Sequence, residues 1–124
     1  MNWNLPNVTI GILGGGQLAR MTIHAASRMG FKVAIMEGEA DSPAAQLSRF
    51  EVVGKWSDMT ALRKLTDYSD VITLENEFVE AHYLEQLESW GKPVYPTSKT
   101  LALVQDKARQ KQTMAGEGLP VPVF

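Results

Sequence analysis

The sequence predicts an α/β fold with about five parallel strands and helices on both faces of the sheet. Short apolar runs alternate along the chain with segments whose apolar residues recur every three or four positions. Three consecutive glycines at positions 14–16 separate the first apolar run from the first helical segment. A glycine-rich turn at that place is typical of a doubly wound, Rossmann-like sheet.

The strands are predicted from five short runs, of which the first carries no charge and is rich in β-branched residues. These runs are residues 8–13, 32–36, 50–53, 71–74 and 94–95, the last being stopped by Pro96. A strand, a helix and a second strand within about thirty residues predict a right-handed crossover. The first two strands are therefore expected to be parallel.

The first helix is predicted to begin at Gln17 and to end at Gly30. The stripe predicted to face the sheet consists of Leu18, Met21, Ala25 and Met29. Four methionines are interpreted as core residues: Met21, Met29, Met36 and Met59.

Capping residues and periodicity predict the other helices. Ser57 or Asp58 begins a helix whose Leu62 and Leu65 face inward. The remaining helices are predicted at residues 44–47, from 81 to Gly91, from Thr97 or Ser98 to about 104, and at 107–117 after Asp106.

Composition excludes several classes of function. The 124 residues contain no cysteine, which rules out disulfides and thiolate metal sites. A net charge of −2 with interspersed signs gives no basic surface for nucleic acid or an anionic membrane. The start of the chain does not resemble a signal peptide, and no apolar run reaches the ~20 residues of a membrane span. A cytoplasmic location is therefore expected.

The glycine turn is predicted to bind an anionic group, because N–H groups in the first turn of a helix lack partners. Gly14, Gly16 and Ala19 fit the spacing G-x-G-x-x-A, and Glu37 ends the second strand. A Rossmann domain places its ribose-binding carboxylate there, so this pattern suggests an NAD site. The glycines alone leave two alternatives open, a different ligand and a purely structural turn.

Glu75 and Glu77 follow the fourth strand and point to the same side if the chain is extended. They can accept hydrogen bonds from ribose hydroxyls or from an amine. Alternatively, Glu77 and Glu80 stabilise the start of the next helix.

His24 and His82 are isolated from each other and from any set of metal ligands, and are interpreted as structural. No nucleophile triad or Walker-type lysine is visible, so neither a catalytic nor a metal-binding residue is predicted in this chain. A basic cluster formed by Lys107, Arg109 and Lys111 is either a solvated face or a contact to a polyphosphate.

Three motifs together resemble the N-terminal domain of the N5-carboxyaminoimidazole ribonucleotide synthetases, the ATPase subunits of the purine-pathway carboxylase. They are GILGGGQLARM, DVITLENEFV and LVQDKARQKQTMAGEGLPVPVF, and they cover nearly the whole chain in the right order. This family belongs to the ATP-grasp superfamily. The resemblance implies a Rossmann-like, pre-ATP-grasp domain at residues 1–118, and at 119–124 the start of a connection into an ATP-grasp domain that this chain lacks.

The resemblance also implies a reaction. ATP activates bicarbonate as carboxyphosphate, and the exocyclic amine of 5-aminoimidazole ribonucleotide captures the carboxyl group, which yields ADP and phosphate. This domain would form one wall of the ribonucleotide site, with Gly15, Gly16, Gln17 and Leu18 facing the ligand and with Glu75 and Glu77 at its ribose or amine region. ATP and Mg would be bound mainly by the missing lobes, the full-length protein would be a homodimer, and this chain alone would be inactive.

Two positions depart from the family pattern. Many relatives carry Glu-Phe-Glu-Asn where this chain has Glu75, Asn76, Glu77 and Phe78. Lys107 replaces an arginine that reaches ATP, and it keeps the charge without the bidentate fork. The competing hypotheses are the cofactor-binding half of an NAD(P)-dependent dehydrogenase and a stand-alone binding or regulatory domain.

Overall fold

The computed structural model of the chain describes residues 7–75 and 78–106, where four parallel strands form one sheet. These strands are β1 (Thr9–Leu13), β2 (Lys32–Glu37), β3 (Phe50–Val53) and β4 (Val71–Leu74), and their order is β3-β2-β1-β4. The helices are α1 (Gln17–Arg28), α2 (Met59–Tyr68) and α3 (Ala81–Ser89), and residues 98–106 are also helical. The predicted α/β fold is confirmed.

Helices cover both faces of the sheet. Successive residues of a strand point to opposite faces, so neighbouring residues of one strand belong to different core clusters. Ile12 of β1 pairs in register with Ile35 of β2, and Leu13 pairs with Met36. The first pair packs in one core cluster with α1, and the second pair packs in another with α2 and α3. The helix side chains buried in these clusters are Ala19, Ile23 and Ala26 of α1, Ala61, Leu62 and Leu65 of α2, and Leu84 and Leu87 of α3.

The predicted inward stripe of α1 is wrong. Leu18, Met21 and Met29 are 60%, 64% and 62% exposed, Ala25 is also exposed, and the opposite side of the helix faces the sheet. That buried side carries mostly alanine, which lets the helix axis approach the strands closely. Met59 is likewise exposed, so of the four methionines interpreted as core residues only Met36 is buried.

The predicted fifth strand is reduced to a single bridge within the described residues. Val94 pairs with Ile72, whose N–H donates to the carbonyl of Pro93 at 3.0 Å and whose carbonyl accepts from Tyr95 at 2.9 Å. Pro93 has no N–H to donate to β4 in the preceding step of the ladder, so the pairing cannot extend on that side. The predicted helix at residues 44–47 is also wrong, because this segment forms hydrogen-bonded turns.

Two predicted caps are confirmed. A carboxylate oxygen of Asp58 accepts from the N–H of Ala61 at 3.1 Å, and the hydroxyl of Thr97 accepts from the N–H of Thr100 at 3.2 Å. Leu62 and Leu65 are fully buried, as predicted. The helix predicted at residues 107–117 lies outside the described residues.

Candidate functional site

The glycine loop lies at the point where the sheet changes direction. The chain runs from β1 outward through β2 to β3, and then returns to place β4 on the other side of β1. Open α/β sheets bind ligands at the carboxyl ends of the strands on either side of such a switch point. The loop formed by residues 14–16 and the end of β4 at Leu74 both lie at this edge.

The absence of Cβ atoms allows the loop to pack against Glu75, the residue after β4. A Cβ on Gly14 would lie 2.6 Å from the Glu75 Cβ, and one on Gly16 would lie 2.9 Å from both carboxylate oxygens. Gly14 also has φ of +123°, which side-chain-bearing residues rarely adopt. The first and third glycines therefore leave room for the close approach of the Glu75 side chain.

Glu75 supplies the cap that α1 lacks from its own N-cap residue, Gly16. Its Oε2 accepts from the N–H of Ala19, in the first turn of α1, at 3.1 Å. Its own N–H donates to the carbonyl of Leu13 at 3.0 Å, which fixes the residue beside β1. A carboxylate is thus already present at the positive end of the helix dipole. Glu75 therefore takes part of the place at the helix N-terminus where the sequence predicts a ligand anion.

Glu37, at the end of β2, holds the same loop from the opposite side. Its Oε2 accepts from the N–H of Gly15 and its Oε1 accepts from the N–H of Gly38, both at 2.9 Å. The sequence suggested that Glu37 could bind the ribose of a dinucleotide. In the structure, both of its oxygens accept hydrogen bonds from the main chain.

Three donors remain at the loop. Among the described residues, the N–H groups of Gly16, Gln17 and Leu18 have no hydrogen-bond partner. Gln17 and Leu18 are exposed, and Gly16 is half-buried. The loop therefore offers unpaired N–H donors beside the carboxylate of Glu75, an arrangement that suits a ligand carrying both acceptor and donor groups.

The segment after β2 supports the loop in a way that the sequence did not indicate. The carbonyl of Gly15 accepts from the N–H of Ala44 at 2.9 Å, and a Cβ on Gly15 would lie 3.1 Å from the Cβ of Ser42. Arg20 of α1 donates to the carbonyl of Pro43 at 2.8 Å. A turn-rich sequence marks this segment as a loop, but nothing in it indicates contact with the glycines.

The structure brings five of the predicted site residues together: Gly15, Gly16, Gln17, Leu18 and Glu75. Glu77 and the whole basic cluster, including Lys107, lie outside the described residues. His24 and His82 are exposed, and His82 Nδ1 lies 3.2 Å from Glu80 Oε2. Glu80 is the N-cap residue of α3 but makes no side-chain capping bond.

The described residues contain neither a metal-binding group nor a membrane-spanning helix. No group of three histidine, aspartate or glutamate side chains there is arranged to hold a metal ion. No helix in the same part of the chain has the length and apolar character needed to cross a membrane.

Comparison with known proteins identifies the family. Residues 7–105 match the model of the ribonucleotide synthetase preATP-grasp domain. The chain belongs to this family. The match spans all four strands and the helices α1, α2 and α3, and it confirms the assignment that the three sequence motifs indicate.

Relatives and solved structures agree with this assignment. The chain is 39% identical over 115 residues to the N5-carboxyaminoimidazole ribonucleotide synthase of Mycobacterium bovis (93% of this chain, 27% of the relative). It is 37% identical over 120 residues to the chloroplastic phosphoribosylaminoimidazole carboxylase of Vigna aconitifolia (97% and 22%). An N5-carboxyaminoimidazole ribonucleotide synthetase solved with ADP is similar with a TM-score of 0.80 and 38% identity (97% and 32%).

The N5-carboxyaminoimidazole synthase of Aspergillus clavatus, solved with ADP and 5-aminoimidazole ribonucleotide, is similar with a TM-score of 0.75 and 32% identity (96% and 32%). The chain thus spans about a fifth to a third of the length of these proteins.

Proposed function

We propose that this chain is the N-terminal domain of an ATP-dependent ligase that carboxylates 5-aminoimidazole ribonucleotide with bicarbonate in purine biosynthesis. The observation that carries the proposal is its similarity, over nearly its whole length, to an enzyme solved with ADP and that ribonucleotide. We assign residues 1–118 to the domain and residues 119–124 to the start of the connection into the ATP-grasp lobes.

The glycine loop forms one wall of the ribonucleotide site in this proposal. Gly16, Gln17 and Leu18 face the ligand with their unpaired N–H groups, whereas the N–H of Gly15 is already bonded to Glu37. Gly15 therefore contributes space and not a donor. Glu75 and Glu77 accept hydrogen bonds from ribose hydroxyls or from the exocyclic amine, because carboxylates are acceptors.

The chemistry itself takes place on groups outside this chain. ATP transfers its γ-phosphoryl group to bicarbonate, which gives ADP and carboxyphosphate. The ribonucleotide amine then attacks the carboxyl carbon, phosphate leaves and the amine loses a proton. Lys107 contributes a point charge to ATP, while Mg and most of ATP are held by the ATP-grasp lobes. No residue of this chain is assigned a catalytic role.

An alternative function is the cofactor-binding half of an NAD(P)-dependent dehydrogenase. It depends on Glu37 as a ribose ligand, but both oxygens of this carboxylate accept from main-chain N–H groups. A stand-alone binding or regulatory domain is the other alternative, and the match to a part of several longer enzymes does not favour it.

The test is ADP formation by the full-length protein encoded by the native reading frame. The proposal predicts ADP release that requires both the ribonucleotide and bicarbonate, and no ADP release from the 124-residue chain. ADP formation by the isolated chain would refute its assignment as an inactive domain. Tight calorimetric binding of NAD, with no ribonucleotide-dependent ADP release from the full-length protein, would support the dehydrogenase instead.

Three further assignments belong to the same proposal. The full-length protein is a homodimer, it acts in the cytoplasm, and neither nucleic acid nor a membrane is a partner. Size-exclusion chromatography with light scattering tests the dimer, and fractionation of cells tests the location.

A further inference from the structure

The carboxylate of Glu37 holds the middle of the glycine loop. Glu37 and Glu75 lie on opposite sides of β1. Glu37 comes from β2, whereas Glu75 follows β4, and these strands flank β1. Glu37 Oε2 accepts from Gly15, and Glu75 Oε2 accepts from Ala19. The loop and the first turn of α1 are thus held between two carboxylates from two different strands.

Gly15 has little freedom to move between these contacts. Its N–H is bonded to Glu37, its carbonyl is bonded to the N–H of Ala44, and a Cβ on it would lie 3.0 Å from the Glu37 Cβ. Gly15 is buried, so its N–H has no ready access to water as a substitute acceptor. Removal of the Glu37 oxygens takes away the acceptor of this N–H, and the middle of the loop is then no longer held from the side of β2.

We propose that Glu37 is a positioning residue for ribonucleotide binding, acting through Gly15 on the unpaired N–H groups of Gly16, Gln17 and Leu18. The inference rests on the proposed function, because it concerns the same site. Each oxygen of Glu37 already accepts a hydrogen bond from the main chain, so the contribution that we assign to it is the position of the loop. A shift of the loop alters the fit to the ribonucleotide and leaves the ATP-grasp lobes unchanged.

The experiment is steady-state kinetics of the full-length ligase with Glu37→Ala. The KM for the ribonucleotide is expected to rise about tenfold, because a small misplacement of a binding group weakens binding to that extent or more. The KM for ATP and kcat at saturating ribonucleotide are expected to change less than about twofold. A KM for the ribonucleotide within twofold of the wild-type value would overturn the inference, and so would an equal rise in the KM for ATP.

Asp70→Ala is the matched control. Asp70 Oδ2 accepts from the N–H of Thr9 at 2.8 Å, which is the same kind of bond at the opposite edge of the sheet. Both variants are expected to lower the melting temperature, but only Glu37→Ala raises the KM for the ribonucleotide. An equal rise in Asp70→Ala would show that the effect is a general loss of stability, and would overturn the inference.

Two further measurements complete the test. If Glu37→Ala does not fold, Glu37→Gln is used, in which one of the two main-chain donors loses its acceptor, and a rise of about threefold is expected. The rise in KM caused by either variant is expected to be the same with 2′-deoxy and 3′-deoxy ribonucleotides. Loss of that rise with either analogue would show that Glu37 binds the ribose directly, and would overturn the inference. Wild-type enzyme without ribonucleotide-dependent ADP formation would refute the proposed function itself, whereas normal wild-type activity with unchanged variants would refute only the role of Glu37.

Discussion

Gly16→Ala is expected to destabilise the chain through one contact, and removal of the Glu75 side chain should cancel the loss. An alanine Cβ at this position would lie 2.9 Å from both oxygens of Glu75, so the carboxylate must leave the N–H of Ala19. Gly16 has φ of −81°, which alanine adopts without strain. The steric effect on Glu75 is therefore separated from any backbone effect.

The magnitude follows from the bond that is lost. Displacing a half-buried carboxylate from a main-chain donor at a helix N-terminus costs roughly 1–2 kcal/mol, because the side chain can turn towards water. For a chain of 124 residues, that corresponds to a fall of about 4–8 °C in the melting temperature. In the Glu75→Ala background, Gly16→Ala should cost close to zero, since the weaker capping preference of alanine is offset by the lower entropy of the unfolded chain.

Gly14→Ala is the control for this cycle. Its Cβ would lie 2.6 Å from the Cβ of Glu75, which Glu75→Ala retains, and its φ of +123° is strained for alanine in either background. Its cost of roughly 1–3 kcal/mol should therefore persist when Glu75 is replaced. The assay is urea unfolding of the four variants of each cycle. A cost of Gly16→Ala that is equal in both backgrounds, within about 0.5 kcal/mol, would refute the reasoning.

Two other predictions concern stability. Asp58→Ala should lower the free energy of unfolding by about 1 kcal/mol, because the N–H of Ala61 loses its cap, whereas Ser57→Ala should change it by no more than about 0.5 kcal/mol; equal effects in urea unfolding would contradict the assignment of the cap. Met36→Ala should lower the free energy of unfolding by about 2–5 kcal/mol because the side chain is fully buried, while Met21→Ala should change it by no more than about 0.5 kcal/mol. A large loss of stability in Met21→Ala would contradict the exposure of the outer side of α1.

The positions of the strands and helices were predictable because each depends on local signals. Val71–Leu74 is an uncharged run of strand length, three of the four residues in Phe50–Val53 are apolar, and α2 begins at a recognisable cap, Asp58. The length of the fifth strand was not predictable from the sequence. One apolar pair between two prolines indicates an extended segment, but it does not show how many hydrogen bonds that segment makes. Only the pairing of Val94 with Ile72 determines that number.

The orientation of α1 shows why periodicity alone is insufficient. The helix carries large apolar side chains at Leu18 and Met21 and smaller ones at Ala19 and Ala26, and both sets recur with helical spacing. A hydrophobicity pattern favours the larger set. The sheet instead selects the side on which Ala19 and Ala26 flank Ile23, because close packing of a helix onto strands depends on the distance between backbones.

The neighbours of the glycine loop could be predicted from the sequence, but their hydrogen bonds could not. Parallel strands end at one edge, so Glu37, Glu75 and the glycines were expected to be neighbours. Which oxygen accepts from which N–H depends on contacts across 22 residues for Gly15 and 56 residues for Ala19. Those contacts argue against the dinucleotide site that the glycine spacing suggests, because such a site uses the carboxylate at the end of β2 to bind ribose, and here that carboxylate accepts from the main chain.

The same contacts make the loop differ from a dinucleotide-binding loop despite the similar glycine spacing. A pyrophosphate at the start of α1 would require N–H groups without competing anions. Here, Glu75 accepts from the N–H of Ala19 in the first turn, and Glu37 accepts from the N–H of Gly15 in the loop. Two carboxylates therefore lie beside the remaining N–H groups. Such surroundings disfavour a closely bound phosphate. They favour hydroxyl groups, which can donate to a carboxylate while accepting from the loop, and amines, which can donate to a carboxylate.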